Sequence, residues 1–166
     1  TSETDGYLSI TGGAGADSLT GGNSNDTFNV GTDDSVSAGA GNDTVSFSGT
    51  IAAGTVSGGD GADTITFAGS VTTSVIDGGA GNDSVTFSGA TNTSGSVTGV
   101  ETISGGSGVD TLTFAAGSTV TITGNGGADV LSFAAGGANT ATITTTNGTA
   151  SVTGGAGLDT ITLLGT

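Results

Sequence analysis

The 166 residues predict an all-β protein: a right-handed parallel β-helix whose acidic loops stack mainly along one edge. Three observations carry that expectation. The hexapeptide Gly-Gly-x-Gly-x-Asp, followed by Ser or Thr and then an apolar residue, occurs complete at 12–17, 58–63, 78–83, 105–110 and 154–159. Near copies stand at 21–26 (Ser24 for Gly), 38–43 (Ala38) and 124–129 (Asn125). Self-similar units of this kind bury their apolar faces only by stacking on their neighbours. After each motif the chain alternates apolar and polar residues with period 2, as a strand with one buried face does. Finally, 15 acids stand against no Lys, Arg or His.

Spacing sets the order of the elements. The steps between motif aspartates are 9 residues from Asp17 to Asp26, then 17, 20, 20, 27, 19 and 30 up to Asp159. A step of 9 is half a coil, so loops 12–17 and 21–26 are expected on opposite sides of a flattened helix, joined by the strand Ser18 to Thr20. Each later step reads as one turn, which places Asp26, Asp43, Asp63, Asp83, Asp110, Asp129 and Asp159 in one column. On the opposite edge Gly31-Thr32-Asp33-Asp34 is expected to stack beneath the loop ending at Asp17. Later turns there, Gly49-Thr50 and Gly69-Ser70, carry no carboxylate. The whole of 1–166 reads as one domain of about seven coils. Two coils are expected to be longer, near 88–99 and 134–151, as tolerated surface loops or as contacts for neighbouring molecules or glycans.

The strands supply three inward columns. Leu19, Phe28, Val45, Ile65, Val85, Leu112, Leu131 and Ile161 sit two residues after a motif Asp. Val30, Phe47, Phe67, Phe87, Phe114, Phe133 and Leu163 sit four after. Ile10, Val36, Val56, Ile76, Ile103, Ile122 and Val152 precede the loops. Five Phe residues in successive coils are expected to form one aromatic ladder. The core is thin, so another source of stability is required.

That source follows from the charge. With no base in the chain, no carboxylate can be neutralised by a salt bridge to a side chain. Aspartates stacked on adjacent coils lie about 4.8 Å apart, where two repel by about 0.9 kcal/mol in water and roughly 3.5 kcal/mol at an effective dielectric of 20. A hard divalent cation reverses the sign of such a column, and calcium accepts six to eight oxygens in flexible geometry. Glycine reaches backbone angles closed to other residues, so a tight loop can turn its carbonyls toward one ion. The candidate ligands are the carboxylates of Asp17, Asp26, Asp33, Asp34, Asp43, Asp63, Asp83, Asp110, Asp129 and Asp159. With them come the carbonyls of Gly13, Gly15, Gly22, Gly39, Gly41, Gly59, Gly61, Gly79, Gly81, Gly106, Gly108, Asn125, Gly127, Gly155 and Gly157. Without metal, the same loops repel and the coils are expected not to stack.

The stretches GGAGADSLT (12–20), GGDGADTIT (58–66) and GGAGNDSVT (78–86) resemble the nonapeptide of the RTX repeat proteins, and the likeness runs through nearly the whole chain. The resemblance implies a β-roll in which ions are shared between adjacent loops. Seven stacked loops then leave six gaps. One more ion at the opposite edge makes about seven Ca2+, or +14 against the chain's −15. It also implies secretion from bacteria through a one-step channel, with folding on export and an uncleaved C-terminal signal. No such signal is visible here, and the chain reads as a processed form or a piece of a longer one. In character it is closest to secreted surface-layer or fibre-forming members.

Composition excludes most chemistry. Without Cys, His, Lys or Arg there is no thiol nucleophile, imidazole base, Schiff-base amine or phosphate clamp. No enzyme activity is expected, and a polyanion such as nucleic acid would be repelled. No apolar run approaches the length needed to cross a bilayer as a helix. Weak calcium sites would fill in an extracellular medium and stay empty in a cytosol. The leading expectation is therefore an extracellular structural subunit that self-associates into a surface layer or filament. Two alternatives stand beside it. One is an adhesin or an ice- or glycan-binding module, read from the outward pairs Thr44/Ser46, Thr64/Thr66, Ser84/Thr86, Thr111/Thr113 and Thr160/Thr162. The other is the folding and export portion of a larger toxin or enzyme.

Overall fold

The computed structural model describes residues 6–89 and 93–165, and among these there is no helix. Strands of three to ten residues fall alternately into two sheets, because each run alternates inward apolar and outward polar side chains and then meets a corner. The nine-stranded sheet contains β1 (Ser9–Thr11), β3 (Thr27–Val30), β5 (Thr44–Phe47), β7 (Thr64–Phe67), β9 (Ser84–Phe87), β11 (Thr102–Ser104), β13 (Thr119–Thr123), β15 (Thr140–Thr145) and β17 (Thr160–Gly165). The eight-stranded sheet contains β2 (Ser18–Thr20), β4 (Ser35–Ala40), β6 (Thr55–Asp60), β8 (Val71–Ala80), β10 (Thr93–Thr98), β12 (Asp110–Phe114), β14 (Gly127–Phe133) and β16 (Gly148–Thr153). Strands pair in parallel with the next odd or even strand, so the described chain is a parallel β-solenoid of eight turns, one more than the spacing implied.

Strand register corrects the expected layout. Matched residues lie 17 to 22 apart from coil to coil throughout, as in Thr64↔Ser84, Ser84↔Thr102, Val71↔Thr93 and Ser132↔Thr153. The coils near 88–99 and 134–151 are therefore ordinary in length; residues 90–92 lie outside the described residues. The 27-residue step from Asp83 to Asp110 is one coil of 18 residues, to Glu101, and then a half coil of 9. The 30-residue step from Asp129 to Asp159 is a half coil of 10, to Asn139, and then a full coil. Asp110 and Asp129 thus belong to β12 and β14 of the eight-stranded sheet, on the edge opposite Asp26, Asp43, Asp63 and Asp83.

The same half-coil steps redistribute the core. One inward column runs Phe28, Val45, Ile65, Val85, Ile103, Ile122 and Ile143 along the nine-stranded sheet. Another runs Val36, Val56, Ile76, Val97, Phe114 and Phe133 along the eight-stranded one, and all of these are buried. The expected single phenylalanine ladder is two. Phe47, Phe67 and Phe87 stack at 4.8 and 5.3 Å between ring centroids on one sheet, and Phe114 and Phe133 at 4.9 Å on the other. Leu163, expected inward, is 61% exposed.

Phe67 stacks on a ring on each side, so Phe67→Ala removes buried area and both ring contacts. In saturating calcium it is expected to destabilise the rod by about 3 to 5 kcal/mol, measured by denaturant unfolding. A loss below about 1 kcal/mol, the level of a surface change, would contradict this packing.

Candidate metal centre

Each corner of the solenoid is built by its glycines. Near the ends of β4, β6 and β8, Gly39, Gly59 and Gly79 take φ of 116°, 113° and 103°, in the left-handed region that side chains avoid. Gly41, Gly61 and Gly81 repeat this two residues on. A side chain on Gly59 would collide with the carbonyl of Gly39, and one on Gly79 with the carbonyl of Gly59. The carbonyls of Gly22, Gly39, Gly59 and Gly79 thus run along the stacking direction, each against the next coil. Gly41 and Gly61 stand in the same relation to Gly61 and Gly81, as Gly108 does to Gly127. Asn125, in a glycine position of its motif, accepts φ of 56°, which Asn tolerates better than most residues.

These corners hold the aspartates inward. On the first edge a ladder of charge-assisted hydrogen bonds links coil to coil. Asp43 Oδ1 accepts the Asp26 amide at 2.6 Å, Asp63 the Asp43 amide at 2.7 Å, and Asp83 the Asp63 amide at 2.8 Å. Glu101 Oε2 continues the ladder by accepting the Asp83 amide at 2.8 Å. On the opposite edge Asp34 Oδ1 accepts the Asp17 amide at 2.8 Å, so the segment 31–34 does stack on the loop ending at Asp17. Farther along that edge Asp129 Oδ1 accepts the Asp110 amide at 3.1 Å. Asp159 closes the first edge, its Oδ1 accepting from the Asn139 amide and side chain. Asp33 turns outward: it is exposed, and its Oδ1 accepts the Ala52 amide at 2.7 Å.

The second carboxylate oxygen shows what these corners lack. Where the strand stops short of the loop, a glycine amide is free to serve it, as Gly13 does for Asp17 and Gly22 for Asp26. Strands β4, β6 and β8 instead run through their glycines, pairing Gly39 with Gly59 and Gly59 with Gly79. The Oδ2 atoms of Asp43, Asp63 and Asp83 are then buried with no hydrogen-bond partner. A buried charged oxygen without a partner costs several kcal/mol. Burial pushes the Asp43 carboxyl up from 3.8 to about 6; the Asp26 amide opposes this, while the charges of Asp63 and Asp26 add to it. Burial also raises Asp63, Asp83 and Asp129.

A cation fits this vacancy of partners. A Cβ placed on Gly58 would meet both Asp63 Oδ2 and the carbonyl of Gly78, and one on Gly78 both Asp83 Oδ2 and the carbonyl of Gly99. Carboxylate and carbonyl oxygens from adjacent coils therefore border one hollow that only glycine leaves open. Among the described residues no three acidic side chains group closely enough to hold an ion by themselves, so carbonyls must complete the shell, as hard oxygen donors suit calcium. When bound, such an ion supplies the positive charge that the carboxylates otherwise lack.

Spacing alone missed two members of the first-edge column, Glu101 and Asn139. The signal was present: Glu101-Thr102-Ile103 repeats the acid, hydroxyl, apolar order of Asp83-Ser84-Val85, and Glu101 precedes Asp110 by the same 9 residues that separate Asp17 from Asp26.

A parallel solenoid with glycine-built, carboxylate-lined corners is a calcium-binding repeat architecture. The family model of the RTX calcium-binding nonapeptide repeat matches residues 9–34, 32–50, 48–66, 73–93, 98–120 and 119–139, most of the chain. The chain belongs to that family. No curated protein and no solved structure matches it.

The raised carboxyls set the sign of a pH dependence. Without metal, Asp43 binds its proton more tightly folded than unfolded, so its contribution to stability is present below pH 3.8 and is lost as pH rises toward about 6. In excess chelator the unfolding midpoint is expected to rise as pH falls from 7 to 4, and Asp63→Asn to raise it at pH 7. In calcium both signs reverse, since protons and the amide each displace the ion. Thermal melts by circular dichroism read this out; a chelator profile flat with pH would refute it.

Proposed function

We propose that the chain works outside a bacterial cell as a calcium-stabilised structural rod, secreted and joined with its own copies into a surface layer or filament. The supporting observation is where the acids lie. Asp26, Asp34, Asp43, Asp63, Asp83, Asp110 and Asp129 are buried at the edges, rather than gathered in a cleft where they could act on a substrate. The broad faces are left nearly uncharged, as a strongly acidic rod needs if copies are to pack side by side. Repeats of this family are typical of secreted proteins, and extracellular calcium matches the range of weak oxygen-ligand sites. In calcium at roughly millimolar concentration, negative-stain electron microscopy is expected to show ordered arrays or filaments that disperse in chelator. Monodisperse particles at every calcium concentration would sink the assembly reading.

A second reading, as a binding module, draws on one face. Outward columns of the nine-stranded sheet run Thr27, Thr44, Thr64, Ser84, Thr102, Thr121, Thr142, Thr162 and, beside it, Asn29, Ser46, Thr66, Thr86, Ser104, Thr123, Thr144. The expected pair Thr111/Thr113 lies on the other sheet, and its gap in the row is filled by Thr102/Ser104. A regular hydroxyl face of this kind would suit ice or a flat glycan. Thermal hysteresis and glycan-array binding at or above the level of known binders are the expected outcome on this reading, and their joint absence removes it.

A further inference from the structure

The first-edge ladder does not end in a repeat loop. After Asp83 the next corner is only Gly99, Val100 and Glu101, between β10 and β11. Counted from the paired residues Thr98 and Asp77, three residues reach Glu101 where six, 78–83, reach Asp83, so the glycine carbonyls of a full loop are missing. Glu101 nevertheless takes the place of the motif Asp, with Oε2 on the Asp83 amide.

Asp83 is 1% exposed, and its Oδ2 is buried without a partner. That oxygen shares a hollow with the Gly99 carbonyl, since a Cβ on Gly78 would meet both. Asp77 Oδ1 borders Gly99 from the outer side. Beyond Glu101, an open notch of about 290 Å³ lies between the corners 98–101 and 115–119.

Capping the Asp83 amide does not require a charge. Two coils farther, Asn139 Oδ1 accepts the amides of Gly117 and Ser118 at 2.9 and 3.1 Å, a neutral solution to the same need. A glutamate beside a buried, unpartnered carboxylate adds repulsion, which is favourable only if a cation lies between them.

On the strength of the family's calcium binding, we infer that Asp83 and Glu101, with the Gly99 carbonyl, form a calcium site of mixed Asp/Glu make that closes the first-edge ladder. The longer glutamate side chain stands in for the missing loop, and water from the notch completes the shell, since calcium readily keeps water among its ligands. Asp77 adds negative field at the rim. Being open to solvent on one side, this site fills last and empties first.

Calorimetric calcium titrations of the whole chain test it. Glu101→Gln keeps an oxygen for the Asp83 amide but loses the charge. Asp60→Asn makes the same charge change at an exposed acid. The glutamine variant is expected to bind one ion fewer, or to hold its weakest ion roughly tenfold or more loosely, because calcium affinity follows ligand charge. The Asp60 variant should match the parent chain. Identical titrations for the two variants would overturn the site. Anomalous scattering from lanthanide-loaded crystals of the unaltered chain gives an answer even where the glutamine variant does not fold. A peak between the Asp83 and Glu101 carboxylates supports the site, and a column of peaks ending before Glu101 refutes it. Absence of any calcium uptake by the parent chain would remove the calcium reading itself, a different failure from loss of this one site.

Discussion

Everything in this fold answers to one conflict: carboxylates stacked at strand spacing inside corners, with no cationic side chain to offset them. A parallel solenoid repeats whatever it places in a corner, so one aspartate per coil becomes a column of like charges. Backbone amides satisfy one oxygen of each and leave Asp43, Asp63 and Asp83 with a second that is buried and unpartnered. Calcium answers that deficit from outside the chain. The glycines are the counterpart, because only a corner without Cβ atoms lets carbonyls and carboxylates of successive coils border one space.

The thin core shares this dependence. Each strand sends one or two side chains inward, so a coil rests on its neighbour through a few contacts such as Ile65 on Val85 and Phe67 on Phe87. Solenoid stability is close to a sum over nearest-neighbour interfaces, and here each interface joins a narrow apolar strip to an edge that is unfavourable until neutralised. An ion bound at these corners would therefore be part of the interface between coils rather than an addition to a finished fold.

Much of this could be read from the residues because repeat, period and charge agree. The hexapeptide marks corners, the alternation of Thr64-Ile65-Thr66-Phe67 marks strands, and the lack of bases calls for an ion. The choice of edge was not legible in the same way. A flattened coil has two nearly equivalent halves, and the period-2 pattern of Leu112 and Phe114 is the same whichever sheet they join. A step of 27 or 30 residues fits one swollen coil as well as a coil and a half. Only strand pairing separates the two, and it puts Asp110 and Asp129 across the molecule from Asp83. Glu101 and Asn139 were hidden for a related reason: they hold the column's place without the motif around them.

That alternation of edges has a mechanical consequence. The acidic ladder passes from Asp17 to Asp26 and from Asp34 to Asp43 by half-coil steps, and again from Glu101 to Asp110. Where one edge turns neutral, at Ser118 and Asn139, the opposite edge carries Asp110 and Asp129. A rod tied along one side only would open like a hinge on the other, since β-strand pairing alone resists bending weakly at a glycine corner. The acidic ties hold a run of coils at the first edge, from Asp26 to Glu101, and others at the opposite edge, at Asp17 with Asp34 and Asp110 with Asp129.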